Sequence, residues 1–489
     1  MTVQAPVPSQ RLGHASQHPE EPACIAVTPV RRQEPADPRI WRDEQALRRA
    51  MAWFVVPQTA SAVLQLISST ITVIYFGQLL GRSALAVASV FFPIFFLLVS
   101  FLIGLISGGI VLVGQAWGAG DIGKMKSMTG TTLSVCALVS IAVAVAGFWF
   151  SPELLGLMGT PPDIYQSAVE YARVTFASLP VVIIFFGYTY LLRGTGDAQT
   201  PFLALMFCSS ISLLVTPALI EGWLGLPMFG VRSAPLANLV GCAVSLPALA
   251  IYLRRRGHPL APDRELLRRL RVDRQIAATF LAIGVPAGLQ LAMTSLSEVA
   301  VVSFVNAFGS SATAAYGAMN QVVGYVLAPL QGVGMAATVF GAQAVGAGQL
   351  GRLGAVTRMA VLLTLVIGAA LVGVVHLFAP TILAWFVADP VTQAIAARAL
   401  LMALWSYVLV GIGGVLAGVM RSTGTVAWPA GLSIAAVWLV QLPVAYLLCD
   451  RIGLDGIWIG YPAGFVIGLI AQWTYYAAIW RQQPHPQLA

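Results

Sequence analysis

The sequence predicts an all-α integral membrane protein: twelve transmembrane helices in two parallel six-helix repeats around a central cleft. Three observations predict it. Only 9% of the 489 residues are charged and 58% are hydrophobic, whereas a soluble domain carries about 25% charged residues. Apolar runs of about 20 residues or more recur along the chain, each long enough to cross roughly 30 Å of hydrocarbon. Lipid leaves open backbone groups without partners, so such runs must be helices. Finally, Gln115-Ala-Trp-Gly-Ala-Gly-Asp-Ile-Gly-Lys124 returns as Gln343-Ala-Val-Gly-Ala-Gly-Gln-Leu-Gly-Arg352, 228 residues on.

Residues 1–48 are polar, rich in Pro, Gln, Glu and Arg, and lack the apolar core of a signal peptide. They read as a flexible cytoplasmic tail ending in a short interfacial helix at Arg42–Arg49. The spans follow at 50–76, 85–112, 128–150, 164–192, 201–221, 233–253, 276–308, 313–340, 357–379, 392–420, 428–448 and 456–480. The domains are an N-lobe over 49–253, a basic linker over 254–274, a C-lobe over 275–481 and a cytoplasmic tail over 482–489. With the N-terminus inside, all 27 basic residues except Arg82, Arg173, Arg232, Arg398 and Arg451 fall on the inner side. That asymmetry places both termini in the cytoplasm of a bacterial-type inner membrane. The net charge of +8 therefore reads as topology rather than nucleic-acid binding. The linker Arg254–Arg274 reads as a retained cytoplasmic loop facing anionic lipid.

The repeat extends beyond the first motif. Leu192-Arg-Gly-Thr-Gly-Asp197 returns as Met420-Arg-Ser-Thr-Gly-Thr425, and Pro201, Pro152 and Gly81 return as Pro429, Pro380 and Gly309. Six spans per copy is an even number, so both copies enter the membrane the same way, with a cleft between them. The glycine motifs lack the G-x-x-x-x-G-K-[ST] of a phosphate loop. They read as tight inner-side turns, with Gln115, Gly118, Gly120, Gln343, Gly346 and Gly348 as hinge positions. Arg193 and Arg421 mark helix stops, Arg193 with a local charge pair to Asp197. Cys24, Cys136, Cys208, Cys242 and Cys449 are scattered and read as packing residues or free thiols.

Twelve spans in two six-span halves, Q-A-x-G-A-G after the second span of each half, and R-G-T-G-D before the fifth resemble the MATE family of multidrug and toxic-compound extrusion transporters, over residues 50–480. The resemblance implies an antiporter that exports organic, often cationic, compounds against inward H⁺ or Na⁺. The family's wider group includes flippases for lipid-linked oligosaccharides. Many members carry an Asp in the first span where this chain has Thr72. Sodium-coupled members use a Glu and an Asp at positions matched here by Thr294 and Val410. Their ion site therefore does not carry over residue by residue.

One acid lies deep in a span. Glu298 is 11 residues before Gly309, so about 16 Å from the outer end and near the midplane. Gln290, Thr294, Ser297 and Glu298 share one helical face, which reads as a cleft wall. A carboxyl removed from water holds its proton more readily, so Glu298 is the candidate coupling site; the alternative is a packing hydrogen bond. Its repeat mate is Thr70. The first span offers Gln58, Ser61, Gln65, Ser68, Thr72 and Tyr75, either an opposite cavity wall or an interhelical hydrogen-bonding stripe. Asn320, Gln321 and Tyr325 are C-lobe cavity candidates. Trp405, Tyr407, Trp438 and Tyr446 could offer π-faces to a cation, against interfacial packing, and His376 reads as packing. Pro57, Pro93, Pro180, Pro286, Pro329 and Pro443 are expected to kink spans, and Gly104-x-x-x-Gly108 to pack closely. The expected function is export of amphipathic neutral or cationic compounds by a monomer. It needs no metal or cofactor beyond a coupling ion, H⁺ with Na⁺ as the alternative. The rival readings are a lipid-linked oligosaccharide flippase, which would want basic residues in the cleft, and a membrane-embedded enzyme, which would want clustered His, Asp or Cys.

Overall fold

The structure is a computed structural model that describes residues 43–225, 227–387, 389–483 and 487–488. Among them, twelve helical segments are long and apolar enough to cross a bilayer. The first six are α1 (Glu44–Tyr75), α2 (Arg82–Gly118), α3 (Ile122–Leu157), α4 (Pro162–Gly194), α5 (Gln199–Glu221) and α6 (Ser233–Arg256). A linker with a short helix over Arg264–Arg268 leads to α7 (Arg274–Asn306), α8 (Ser310–Gly346), α9 (Leu353–Ala384), α10 (Pro390–Ser422), α11 (Ala427–Ile452) and α12 (Leu454–Ala478).

Aspartates set several helix starts. The side chains of Asp43, Asp121, Asp273 and Asp389 accept backbone N–H groups in the first turns of α1, α3, α7 and α10, satisfying donors that have no partner within the helix. The cap at Asp43 corrects one expectation. Arg48 and Arg49 belong to the first turns of α1 rather than to a separate interfacial helix, while the tail over 1–42, with Cys24, lies outside the described residues. A π turn over Ala436–Gln441 in α11 precedes Pro443, one of the prolines expected to disturb a span, whose ring can supply no backbone N–H. Phe378 leaves helical geometry just before Pro380 in α9, a proline not among those expected to kink. The break in α10, a 3₁₀ turn over Leu404–Ser406, contains no proline.

Helices α1–α6 and α7–α12 form two lobes joined mainly by α2 against α7, with α8 crossing α1 and α2. Glycine makes the approach possible. A side chain on Gly108 would come within 2.8 Å of the Phe280 carbonyl, one on Gly284 within 2.5 Å of the Leu105 carbonyl, and one on Gly288 within 2.6 Å of the Phe101 carbonyl. The Gly104-x-x-x-Gly108 stripe thus meets a second one on α7, the packing that lipid-embedded helices favour. Where the glycines stop, Ser295 donates to the Ser100 hydroxyl at 3.1 Å. Gly332 on α8 lies against Gln58 and Thr59 on α1. Cys208 and Cys242 pack together in the N-lobe core with sulfurs 3.6 Å apart, both as free thiols.

The linker is docked rather than free. Lys126 on α3 reaches Asp263 at 2.6 Å and Glu265 at 2.7 Å, Arg269 donates to the Gly123 carbonyl and the Ser127 hydroxyl, and Tyr188 donates to the Leu260 carbonyl. Its acids therefore face the N-lobe, while Arg255, Arg256, Arg264, Arg268 and Arg271 remain exposed. Burial pushes the Asp263 carboxyl up, but the Lys126 contact and the Leu266 N–H outweigh it and hold it below the usual carboxylate range. His258 is buried, with Nε2 3.9 Å from Asp197. Burial lowers its imidazole below the ordinary value despite the Asp197 charge.

Gly288→Leu tests the crossing. Overfilling it is expected to cost about 1–3 kcal/mol and lower the thermal midpoint in detergent. The same change at Gly373, which a side chain would leave without close contacts, is expected to leave the midpoint unchanged.

Candidate functional site

Glu298 lies on α7, eight residues before its last residue Asn306, so about 12 Å from that end. That is shallower than the 16 Å counted from Gly309, because the helix ends before the turn. Tyr316, six residues into α8, and Tyr461, seven residues into α12, reach similar depths from the same end. Tyr316 donates to Glu298 Oε2 at 2.6 Å and Tyr461 at 3.3 Å, and the two phenol oxygens are 3.2 Å apart. Trp458 stacks on Tyr316 with ring centroids 6.0 Å apart, while Tyr407 and Phe465 pack around Tyr461. All three tyrosines are buried. Sequence reasoning found Glu298 but missed Tyr316 and Tyr461. The signal was available: α7 and α8 form a hairpin, so a polar aromatic at matching depth on the return helix is the natural partner.

This arrangement can hold the carboxyl in either protonation state. Ionised, it only accepts, and two phenols donate to it. Protonated, it gains a donor, and the adjacent hydroxyls can turn so that one accepts and passes its own hydrogen on. The remaining candidates distribute around this centre. Thr294 is exposed and donates to the Gln290 carbonyl, Ser297 donates to the Thr294 carbonyl, and Gln290 is half-buried. Asn320 lies one turn from Tyr316 on the same face of α8. Gln321 and Tyr325 share a different face, about 140–180° round from Tyr316. Trp438 donates to the Met293 carbonyl, and His376 bonds the Val372 carbonyl of its own helix; both are packing contacts.

On α1 three of the hydroxyls and one amide bond within the helix. Ser61, Thr70 and Thr72 donate to the carbonyls of Pro57, Leu66 and Ser68, and the Gln65 amide to that of Ser61. The described bonds therefore run along α1 rather than across to a neighbour. Gln58 is buried against Gly332 at the lobe contact, whereas Gln65 is exposed.

The repeated motifs meet at the opposite, basic end. They are not simply loops, as the sequence suggested. Gln115–Gly118 and Gln343–Gly346 are the last turns of α2 and α8, and only then do Gly120 (φ +75°) and Gly348 (φ +70°) make the turn. A side chain on Gly118 would strike the Gln343 backbone, and one on Gly346 the Gln115 backbone. Gln115 Nε2 donates to the Ser422 carbonyl at 2.8 Å, and Gln343 Nε2 to the Gly194 carbonyl at 3.0 Å. Ser422 and Gly194 are themselves 228 residues apart. Each motif of one lobe thus grips the second motif of the other, reciprocally about the repeat axis. Arg193 is buried beside this contact, over the Tyr190 ring at 4.4 Å and 3.9 Å from Met335 Sδ. Its expected pairing with Asp197 does not form. Asp197 instead caps α5, accepting the N–H groups of Gln199 and Thr200 at 3.0 Å and the Thr200 hydroxyl at 2.5 Å. Arg421, at the equivalent end of α10, is half-buried.

The MatE family model matches residues 57–218 and again 286–447, the two halves of the chain. The chain belongs to the MatE family. It is 39% identical over 457 residues to the probable multidrug resistance protein YoeA of Bacillus subtilis strain 168, covering 93% of this chain and 97% of that one. It is 25% identical to YpnP of the same organism, also described as a probable multidrug resistance protein, over 88% and 94% of the two chains. The fold matches a crystal structure of a mutant Vibrio cholerae MATE transporter, VcmN, with TM-score 0.83 at 20% identity, covering 90% of this chain and 98% of that one. As a member of this multidrug efflux family, the protein is a multi-pass membrane transporter.

Asp197→Ala is expected to cost about 1 kcal/mol and to speed hydrogen exchange at the Gln199 and Thr200 amides. Arg193→Ala is expected to leave those two amides protected, an outcome a charge pair would not give.

Proposed function

We propose that this protein exports amphipathic neutral or cationic compounds in exchange for protons, with Glu298 as the proton site. The observation that carries the reading is the Tyr316–Glu298–Tyr461 cluster. A sodium ion needs a shell of oxygen lone pairs, but here both phenols turn their hydrogens towards the carboxylate. Protonation needs only the hydroxyl chain to reverse. The positive-inside asymmetry supports a cytoplasmic basic end in a bacterial-type inner membrane; on this reading the reciprocal grip of the two motifs is a lock that closes the inner side, and Glu298 lies in the outer half. A proton from outside would neutralise Glu298. The loss of a charge that is costly to bury would let the lobes part at the inner end. Substrate entering there would meet a cavity wall drawn from Gln290, Thr294, Asn320 and the α1 face of Gln65 and Thr72. A bound cation would favour release of the proton, which leaves to the cytoplasm in the inward state.

Glu298→Gln is expected to abolish ΔpH-driven efflux of a fluorescent cation from proteoliposomes while leaving the protein folded and inserted. Tyr316→Phe, which removes the 2.6 Å hydrogen bond, is expected to slow efflux roughly tenfold, and Tyr461→Phe less. Efflux driven by an imposed Na⁺ gradient, and untouched by Glu298→Gln, would overturn the reading.

A further inference from the structure

The reciprocal lock at the basic end has a third participant outside the repeats. After α12 the chain passes Trp480, which is buried and donates to the Thr423 hydroxyl at 3.2 Å. It then reaches Gln487 and Leu488. The Leu488 N–H donates to Gln115 Oε1 at 2.8 Å. The Gln487 side-chain amide donates to the Val345 carbonyl at 3.1 Å and meets the Gly346 carbonyl at 3.5 Å. The Leu488 side chain sits where a side chain on Gly424 would go, 2.7 Å from that position, and packs against the N-lobe core.

These contacts straddle the lobes. Gln115 is on α2 of the N-lobe; Val345, Gly346 and Gly424 belong to the C-lobe. Two adjacent residues therefore tie one lobe to the other at the point where Gln115 already reaches Ser422. Gln115 is fully buried, so its carbonyl oxygen needs a donor, and Leu488 supplies one. The sequence echoes this docking. His258-Pro259-Leu260-Ala261 follows α6, and His485-Pro486-Gln487-Leu488-Ala489 follows α12. Leu260 is fully buried and anchored by Tyr188.

We propose that the closed basic end is a binding site for this chain's own Gln487–Leu488 peptide, which acts as a bolt across the lobes. The lobes cannot part there while the bolt is seated, because its two anchors move apart. Opening requires the peptide to leave Gln115 or the end of α8. The bolt thereby biases the transporter towards the state with this end shut, and anything that captures the peptide releases that bias. This consequence rests on the proposed alternation between states; the peptide's effect on closure does not depend on the coupling ion.

The test places a single cysteine at Ala342, a fully buried position on α8 whose side chain faces Gly114 of α2 across the lobes, with the five native cysteines replaced. Labelling by a membrane-impermeant maleimide presented to the basic end reports opening. Leu488→Pro removes the N–H donor while keeping the chain, and a stop after Gln483 removes the peptide altogether. Both are expected to raise the labelling rate roughly tenfold, as expected for the loss of one or two buried hydrogen bonds. A synthetic peptide spanning residues 480–489 is expected to restore protection to the truncated protein. Labelling of Leu488→Pro at the parent rate, in protein that remains monodisperse, overturns the bolt. Repeating the comparison in Glu298→Gln separates the two proposals, since closure is read there without proton-driven transport.

Discussion

The structure depends on two missing side chains. Gly118 and Gly346 bring the last turns of α2 and α8 against each other so closely that any side chain at either would enter the other's backbone. That approach lets Gln115 reach the Ser422 carbonyl and Gln343 the Gly194 carbonyl. In lipid there is little hydrophobic gain from pressing apolar helices together, so close backbone approach and shared hydrogen bonds must hold the lobes. The lock sits at one end and continues into the glycine crossing of α2 on α7, so the two contacts would have to be made and broken together.

The proposed proton site sits towards the other end. Glu298 is placed by α7, whose half nearer the basic end packs against α2 through Gly284 and Gly288, and its partners come from α8 and α12 of its own lobe. The carboxyl is therefore joined to the lock through α8, which carries Tyr316 near one end and Gln343 near the other. A change in how Tyr316 is bonded acts on the helix that holds half of the lock. This gives a rigid, physically continuous route between the acid and the contact proposed to open, without a chain of side-chain relays.

Much of the fold was legible in the sequence. Hydropathy placed the twelve spans, and the 228-residue repeat set the two-lobed plan. The repeat also singled out Glu298, opposite Thr70. Contacts between sequence-distant residues were not legible. The glycine motifs read as turns because turns are what glycine does locally; only the fold shows that Gly118 and Gly346 face each other. Arg193 and Asp197 looked like a pair because they are four apart, but the helix ends between them and Asp197 turns to cap α5. Tyr316 and Tyr461 were overlooked because buried aromatics in spans are ordinary, and nothing local marks two hydroxyls aimed at one carboxylate. The linker was read from its arginines alone, as a cytoplasmic loop facing anionic lipid, whereas Asp263 and Glu265, fewer in number, dock it on Lys126 of α3.

The central claim is that the two lobes separate at the lock during transport. Gly114 on α2 and Ala342 on α8 stand there with side-chain positions 3.0 Å apart, close enough for a disulfide once the helices adjust slightly. In protein lacking its native cysteines, the pair Gly114→Cys and Ala342→Cys should cross-link under mild oxidation. Efflux from proteoliposomes should then stop and return on reduction, while each single cysteine has no such effect. Undiminished efflux by the fully cross-linked protein would contradict the account.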